Sequence, residues 1–502
     1  MTPNRLESDA KGGTACPVPL FAESHQGKGA VGMAIYECDL CGYVYDEAQE
    51  GVAWDELRDD WTCPVCGSTK ADFLLVKGES PTAVPPEAPA TRDSGDYLAE
   101  WARSRDDLEV HMADIHQIAA SGESIIEPMR TTARSFSWDE ILVKGAQLAK
   151  IPLNDDDAVK TETVIGPEAD HPLVIESPIY VTHMSFGALS REVKIALAKG
   201  SAAVKTAMCS GEGGILNESL ECAHKYIFEY VPNRYSVTDE YLSRVDAIEI
   251  KIGQSVKPGM GGHLPAGKVT AEIAAIRGFP EGVDIISPSH FPDIKNSTDL
   301  RKKVDWLRRK SGGRPIGIKI AAGSIEADLE VALYAGPDFV TIDGRPGATG
   351  AAPKFVKSSA SIPTVFALYR ARRYLDRNGA DGVSLLITGG LRISSDFAKA
   401  LALGADGVAI GTAALMAAGC QQYRICHTGR CPVGITTQDP ELRARLDIEE
   451  SAGRVERFLR VSTEELKAFA RMTGNADVHG LSISDLGTTS SEVSNHTDID
   501  HV

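Results

Sequence analysis

Between residues 178 and 411 the chain alternates short β-branched runs with longer stretches in which apolar residues recur every three or four positions. The runs are PIYVTHM (178–184), VKTAMC (204–209), AIEIKIG (247–253), VDIISP (283–288), PIGIKIA (315–321), DFVTIDG (338–344), VSLLITG (383–389) and DGVAIG (406–411). Stretches such as REVKIALAKGSA, STDLRKKVDWLRRK and SSDFAKALALGA lie between them with the helical period. Eight strand–helix units in roughly 230 residues predict an α/β fold, a TIM (β/α)8 barrel whose functional groups gather at the C-terminal ends of its strands. A doubly wound sheet fits less well, because no strand runs into G-x-G-x-x-G with an acid ~20 residues further on.

The pattern changes at both ends. Residues 1–32 are polar and without period and predict a flexible lead, and residues 33–76 form a small Cys- and aromatic-rich unit. Residues 77–96, KGESPTAVPPEAPATRDSGD, read as a semi-extended Pro-rich linker. Helical patterning precedes the barrel from about residue 97, so the larger domain is drawn as 97–475, and 476–502 read as a disordered tail.

Charge narrows the partners. With 52 basic and 70 acidic residues the net charge is −18, which leaves no basic footprint for nucleic acid or an anionic membrane. No window offers ~18 apolar residues, and the first residues lack an apolar signal-peptide core, so a cytoplasmic protein is expected.

Cysteine spacing carries the first specific chemistry. Cys38-x-x-Cys41-Gly and Cys63-x-x-Cys66-Gly are two knuckles, each presenting two thiolates to one metal. A structural zinc ribbon is the competing reading of such pairs. The whole segment from Tyr36 to Phe73 resembles rubredoxin: Tyr43, Tyr45, Trp61 and Phe73 match its aromatic core and C-P-x-C-G its second knuckle. The resemblance implies one iron held by four thiolates and cycling by single electrons. Further on, Cys420, Cys426 and Cys431 fall within twelve residues. Three cysteines do not complete a four-thiolate tetrahedron, whereas a 3Fe–4S cluster needs three protein sulfurs; buried unliganded thiols are the alternative.

A second resemblance covers residues from about 130 to 470. GTAALMAAGCQQYRICHTGRCPVGITTQDPELR, THMSFGALS, SGEGG, KIGQSVKPGMGGHLP and TIDGRPGATGAAP are similar to the FMN-binding domain of glutamate synthase. It implies FMN at the barrel mouth, a 3Fe–4S cluster at Cys420, Cys426 and Cys431, and reduction of 2-iminoglutarate formed from 2-oxoglutarate and ammonia. Gly389, Gly390, Gly411 and Thr412, after strands seven and eight, are placed to receive the FMN phosphate. Met184, Ser185, Phe186, Gly187 and Ala188 resemble the segment lining the flavin ring, which Gly344, Gly347 and Gly350 approach from strand six. Lys319, aimed inward by the alternation of IGIKIA, matches the lysine that stabilises negative charge on reduced flavin. Lys257 and Arg277 stand at carboxylate-contacting positions, Glu212 at that of an active-site carboxylate, and His263 replaces the family's usual Gln near substrate.

The glutaminase, the glycine-repeat β-helix and the nucleotide-binding domain of large glutamate synthases have no counterpart in these motifs. The expected partners are therefore 2-oxoglutarate or a related dicarboxylate, ammonia or an amine, a one-electron donor or reductase, and separate glutaminase and glycine-repeat subunits. Two alternatives stay open: the catalytic subunit of an N-methylglutamate synthase-like amine transferase, and an electron-transfer module without substrate chemistry of its own.

Overall fold

The computed structural model describes residues 34–58, 60–77, 103, 106–133 and 135–502. The expected lead, nearly all of the Pro-rich linker and the start of the expected helical segment lie outside the described residues. Strands β1 (Ile35–Cys38), β2 (Val44–Asp46) and β3 (Phe73–Lys77) form an antiparallel sheet in the order β2-β1-β3. So short a unit has few aliphatic side chains, and rings that bury large areas supply its core. Tyr36 stacks on Trp54 at 4.3 Å between centroids, and Trp54 lies 4.8 Å from Phe73.

After β4 (Ile141–Val143) and a hairpin of β5 (Thr163–Ile165) and β6 (Leu173–Ile175), the barrel begins. Its strands are β7 (Ile179–Val181), β8 (Ala207–Cys209), β9 (Lys225–Tyr230) and β10 (Ala247–Lys251), followed past an excursion by four more. The excursion holds the antiparallel pair β11 (His263–Leu264) and β12 (Ile285–Ile286). Then come β13 (Ile316–Ala321), β14 (Phe339–Asp343), β15 (Ser384–Thr388) and β16 (Gly407–Ile410), which closes on β7. The barrel has eight parallel strands as expected, but one is a different strand. VDIISP contributes only Ile285 and Ile286 and pairs outside the barrel, while KYIFEY supplies the third barrel strand. Its Glu229 interrupts the apolar run that marks a doubly buried strand, and the interruption hid it.

On β13, Ile316, Ile318 and Ile320 pack in the same core cluster as Leu300, Val304 and Leu329 of the surrounding helices. Gly317 and Lys319 face inward, and a Cβ on Gly317 would stand 2.0 Å from the Phe339 ring that fills the barrel. The lower interior is apolar: Tyr180, Cys209, Ile227, Phe339 and Leu386 pack with Ile165, Leu173 and Ile175 of the β5–β6 hairpin, which closes the N-terminal end. Above them the interior turns polar, with Glu229, Glu249, Lys319, Thr341, Asp343 and Thr388 all buried.

Outside the barrel, helices Arg191–Ala203 and Ile448–Met472 meet closely at Gly200, where a Cβ would lie 2.7 Å from Ala452 O. The last residues depart from the expected disordered tail. Strand β17 (Leu486–Thr488) pairs with β4 and with β18 (Asp500–His501), burying Leu486, Val493 and Ile499. Thr488 Oγ1 donates to Glu140 O at 2.6 Å. The partner lies ~350 residues earlier, a pairing that local composition does not register. Among the described residues no helix is long and apolar enough to cross a membrane.

Candidate active site and cysteine centres

The two knuckles are built alike. Gly42 and Gly67 sit at φ of 72° and 73°, a region that costs other residues strain, and donate to Cys38 O and Cys63 O at 2.8 Å. These turns bring Cys38 Sγ to 3.6 Å from Cys66 Sγ and Cys41 Sγ to 3.5 Å from Cys63 Sγ, with all four sulfurs within 4.8 Å of one another. Burial, with help from the neighbouring thiols, pushes the Cys41 thiol far above its ordinary range. So tight a set, with Cys38 and Cys63 buried and Cys41 and Cys66 half-buried, releases its protons when a cation enters, and the donor set fits a tetrahedral metal. Replacing Cys41 by Ser is expected to remove the bound iron and its thiolate-to-iron absorption while leaving barrel stability unchanged; iron analysis and visible spectroscopy check this.

At the C-terminal mouth of the barrel one cavity gathers most of the sequence-predicted residues. From the expected flavin segment Met184, Ser185 and Ala188 line it, from strand six Gly347 and Gly350, and from the strand-seven and strand-eight ends Gly389, Gly390, Gly411 and Thr412. Glu212, Lys257, His263, Lys319 and Cys426 line it as well. Phe186, Gly187 and Gly344 stand behind this wall: Phe186 is buried at 1%, and Gly344 O would be 2.2 Å from a Cβ on Gly389. Arg277, at the end of helix Ala271–Arg277, is also behind it, donating to Phe186 O at 2.7 Å with its guanidinium over the Tyr235 ring.

Lys319 forms the floor. Its ammonium stands 3.8 Å from Glu229 and 3.7 Å from Asp343, near enough for attraction and too far for hydrogen bonds. Burial opposes its charge, but Asp343, Glu229 and Glu249 outweigh it and hold the ammonium protonated above the usual lysine range. His183 Nε2 lies 3.0 Å from Glu249, and its Nδ1 accepts from Gly211 N–H at 3.1 Å, which places the ring proton on Nε2. His183, Glu229 and Glu249 were not singled out from sequence, although the alternation that aims Lys319 inward applies equally to Glu249 in AIEIKIG.

The opposite side holds Glu212. Despite burial, Lys251 Nζ at 2.5 Å, Ser287 Oγ at 2.5 Å and the nearby Arg277 hold its carboxyl at about 2. Gly262 is pressed against it, so a Cβ there would stand 2.3 Å from Oε1. Lys257 donates to Gly261 O at 2.8 Å, and burial lowers its pKa. His263 is exposed and paired with Asp284 at 2.9 Å. Lys251 and Ser287 escaped the sequence reading; only the folded Glu212 side chain connects them.

Below the mouth, Lys194 is fully buried and donates to Met184 O, Cys209 O and Ser210 O at 3.0, 3.1 and 2.8 Å, its pKa lowered by burial to about 7. Lys194→Met leaves three buried carbonyls without a donor, so urea unfolding is expected to register a loss of about 3 kcal/mol.

Cys420, Cys426 and Cys431 follow helix Thr412–Ala417. Burial pushes Cys426 up to about 11, with Cys420 and Cys431 as neighbours. Lys268 ties this loop to the cavity wall, donating to Cys426 O at 2.6 Å and Thr436 O at 2.8 Å.

Residues 110–476 match the conserved region of glutamate synthase, and residues 35–73 match rubredoxin. An archaeal-type glutamate synthase (NADPH) of Thermotoga sp. (strain RQ2) is 40% identical, covering 74% of this chain and 76% of its own. The archaeal glutamate synthase (NADPH) of Archaeoglobus fulgidus is 34% identical, covering 89% and 88%. Among solved structures, a mandelate oxidase with (S)-mandelic acid is similar at a TM-score of 0.46 and 16% identity, covering 72% of this chain and 91% of that one. The fold and the matched regions together define a barrel oxidoreductase carrying a rubredoxin-type four-cysteine iron site. The chain belongs to the glutamate synthase family.

Proposed function

We propose that the chain reduces 2-iminoglutarate, formed from 2-oxoglutarate and ammonia, to glutamate. The observation that carries this reading is one cavity with two differently charged sides: Lys319 on a carboxylate floor below the glycine-lined strand ends, and the Glu212–Lys251 pair with Lys257 opposite.

FMN, when bound, would supply the hydride. The residues suit it: at Gly389 and Gly390, with φ of 114° and 86°, side chains are excluded and the backbone is left open to a phosphate. Gly411 and Thr412 complete that side, and Met184, Ser185 and Ala188 would face the ring. Lys319, its ammonium not hydrogen-bonded to either neighbouring carboxylate, would offer a proton donor to the ring edge. Lys257 would receive a substrate carboxylate, and Arg277 would act from behind by fixing Phe186. Glu212, ionised at neutral pH, would orient the ammonium side of the imine. Cys38, Cys41, Cys63 and Cys66 would hold an iron and Cys420, Cys426 and Cys431 a 3Fe–4S cluster, groups that would supply one-electron transfer from an external donor; a separate glutaminase would supply ammonia, with a glycine-repeat subunit as a further partner.

One observation favours the amine-transferring alternative. A second cavity of about 390 Å³ shares Glu212 and Gly262 with the first and is lined by the apolar Met260, Phe291, Ile294 and Leu300 and by the charged Lys251, Lys295 and Asp328. It is far larger than ammonia and suits an alkyl substituent.

Holoenzyme given a reduced viologen dye, 2-oxoglutarate and a panel of ammonia and primary alkylamines separates the readings. Glutamate from ammonia supports the first, N-alkylglutamate the second, and no turnover with any amine overturns both. Lys257→Met is expected to weaken 2-oxoglutarate binding by ~30-fold or more, mainly in KM.

A further inference from the structure

Glu229 and Glu249 stand directly opposite each other in the register of β9 and β10, and both are buried in the barrel. Two like charges facing across neighbouring strands repel, the more so with no water between them. One side chain separates them. His183, which follows β7, has a side chain only 4% exposed and presents a ring nitrogen to each glutamate: Nε2 is 3.0 Å from Glu249 Oε2, and Nδ1 is 3.8 Å from Glu229 Oε2. Because Nδ1 already accepts from Gly211 N–H, the ring proton faces Glu249.

The contacts on the floor are shared unequally. Glu249 is engaged at both oxygens, by His183 at Oε2 and by Thr341 Oγ1 at Oε1. Burial raises its pKa, but His183, ahead of Lys319, more than offsets this and holds the carboxyl below its usual range. Lys319 has no such partner. Glu229 and Asp343 stand 3.8 and 3.7 Å away, and Glu249 attracts the ammonium from farther off. A lysine enclosed by three carboxyls gains most by bonding one of them, since charge-assisted bonds are the strong ones. Here the ammonium lies in their field and is bonded to none, and it faces the ligand cavity that His183 also lines.

We propose that His183 is the positioning residue of the floor: standing between the opposed glutamates and occupying Glu249, it keeps that carboxylate off Lys319 and leaves the ammonium free for an electron-rich ligand edge in the cavity. The same imidazole ties the floor to the substrate side, because its Nδ1 partner Gly211 directly precedes Glu212. The placement stands on the distances above. Its consequence rests on the function proposed for the site, in which Lys319 meets the edge of the flavin ring.

Sulfite titration of the flavin-loaded full-length protein reads this without turnover, because sulfite adds to oxidised flavin as an anion and its affinity follows the positive charge at the ring edge. His183→Leu removes both ring nitrogens, and sulfite is expected to bind about tenfold more weakly, the scale of one hydrogen bond, as Glu249 takes up Lys319. Two amides divide the contacts of the ring. Glutamine carries an N–H far enough to meet Glu249, whereas asparagine offers an acceptor to Gly211 N–H and nothing to Glu249. His183→Gln should therefore restore sulfite affinity, and His183→Asn should stay as weak as the leucine variant. The reverse order, or native affinity in all three, overturns the positioning role. If His183→Leu does not hold flavin, the two amide variants still decide. Lys319→Gln, titrated with FMN in excess, tests the reading beneath: unchanged affinity there means that the ammonium does not meet the ring and overturns the flavin placement. Affinity lost in Lys319→Gln but kept in His183→Asn overturns the positioning role alone.

Discussion

Lys319→Met is expected to destabilise the barrel by about 3–5 kcal/mol at neutral pH, the usual cost of leaving buried charge without its partner. The lysine is 3% exposed, and Glu229, Glu249 and Asp343 surround it. With the ammonium gone, Glu229 Oε1, which already lacks a hydrogen bond, faces two further acids and no cation on that side. The pH dependence separates this cause from lost packing. In the native chain the lysine's folded pKa lies above its unfolded value of ~10.4, so its contribution is fully present below that value and is lost only as pH rises through the folded one. In the variant Asp343, which burial already raises, loses the Lys319 charge that holds it down, and its penalty disappears as pH falls and it takes up a proton. Urea unfolding at pH 5 and pH 8 should show the gap from the native chain narrowing at the lower pH; a gap independent of pH assigns the loss to packing alone. Flavin retention is expected to fall in parallel.

Glu212→Gln is expected to reduce kcat/KM by ~30-fold to several thousand-fold, the ~2–5 kcal/mol associated with stranding one member of a desolvated charge pair. The amide keeps the shape and can still accept from Ser287, but Lys251, whose side chain is 10% exposed, loses its counter-charge. Because the carboxyl titrates at about 2, the native enzyme should show no limb from this group in its pH–rate profile between pH 5 and 9. The stabilisation it provides is present above the unfolded value of ~4.3 and lost as pH falls toward about 2, so acid unfolding of the Gln variant should be less steep over that window. A variant with native kcat/KM would remove Glu212 from the reaction.

These two residues show what a linear reading reaches and where it stops. Lys319 was legible because a charge inside an alternating apolar strand has one way to point, and Cys38, Cys41, Cys63 and Cys66 because their spacing is itself the ligand geometry. Glu229 obeys the same rule as Lys319, yet its strand was overlooked: three aromatic residues and a glutamate in KYIFEY dilute the β-branched signal, while VDIISP carries that signal and contributes only two paired residues outside the barrel. Lys251, Ser287 and Lys268 were hidden for a different reason. Each acts through a contact with a segment well removed in the chain, 39 residues for Lys251 and Glu212 and 158 for Lys268 and Cys426, and no local pattern encodes such a meeting. Arg277 was read as a contact for a substrate carboxylate, whereas its guanidinium turns away from the cavity toward Phe186 O. The C-terminal strand failed as a disordered tail for the same non-local reason.

The β5–β6 hairpin has a consequence for how the floor equilibrates with solvent. By closing the lower end with Ile165, Leu173 and Ile175, it leaves the floor facing the mouth that the ligand cavity occupies. Protons that reach or leave Asp343 then use the same opening as the ligands. A molecule seated in that opening therefore acts as a cork, and Asp343 keeps the protonation state it had when the cork went in. Titrations performed before and after ligand entry should then follow different clocks: prompt in the empty barrel, and paced by ligand departure in the filled one.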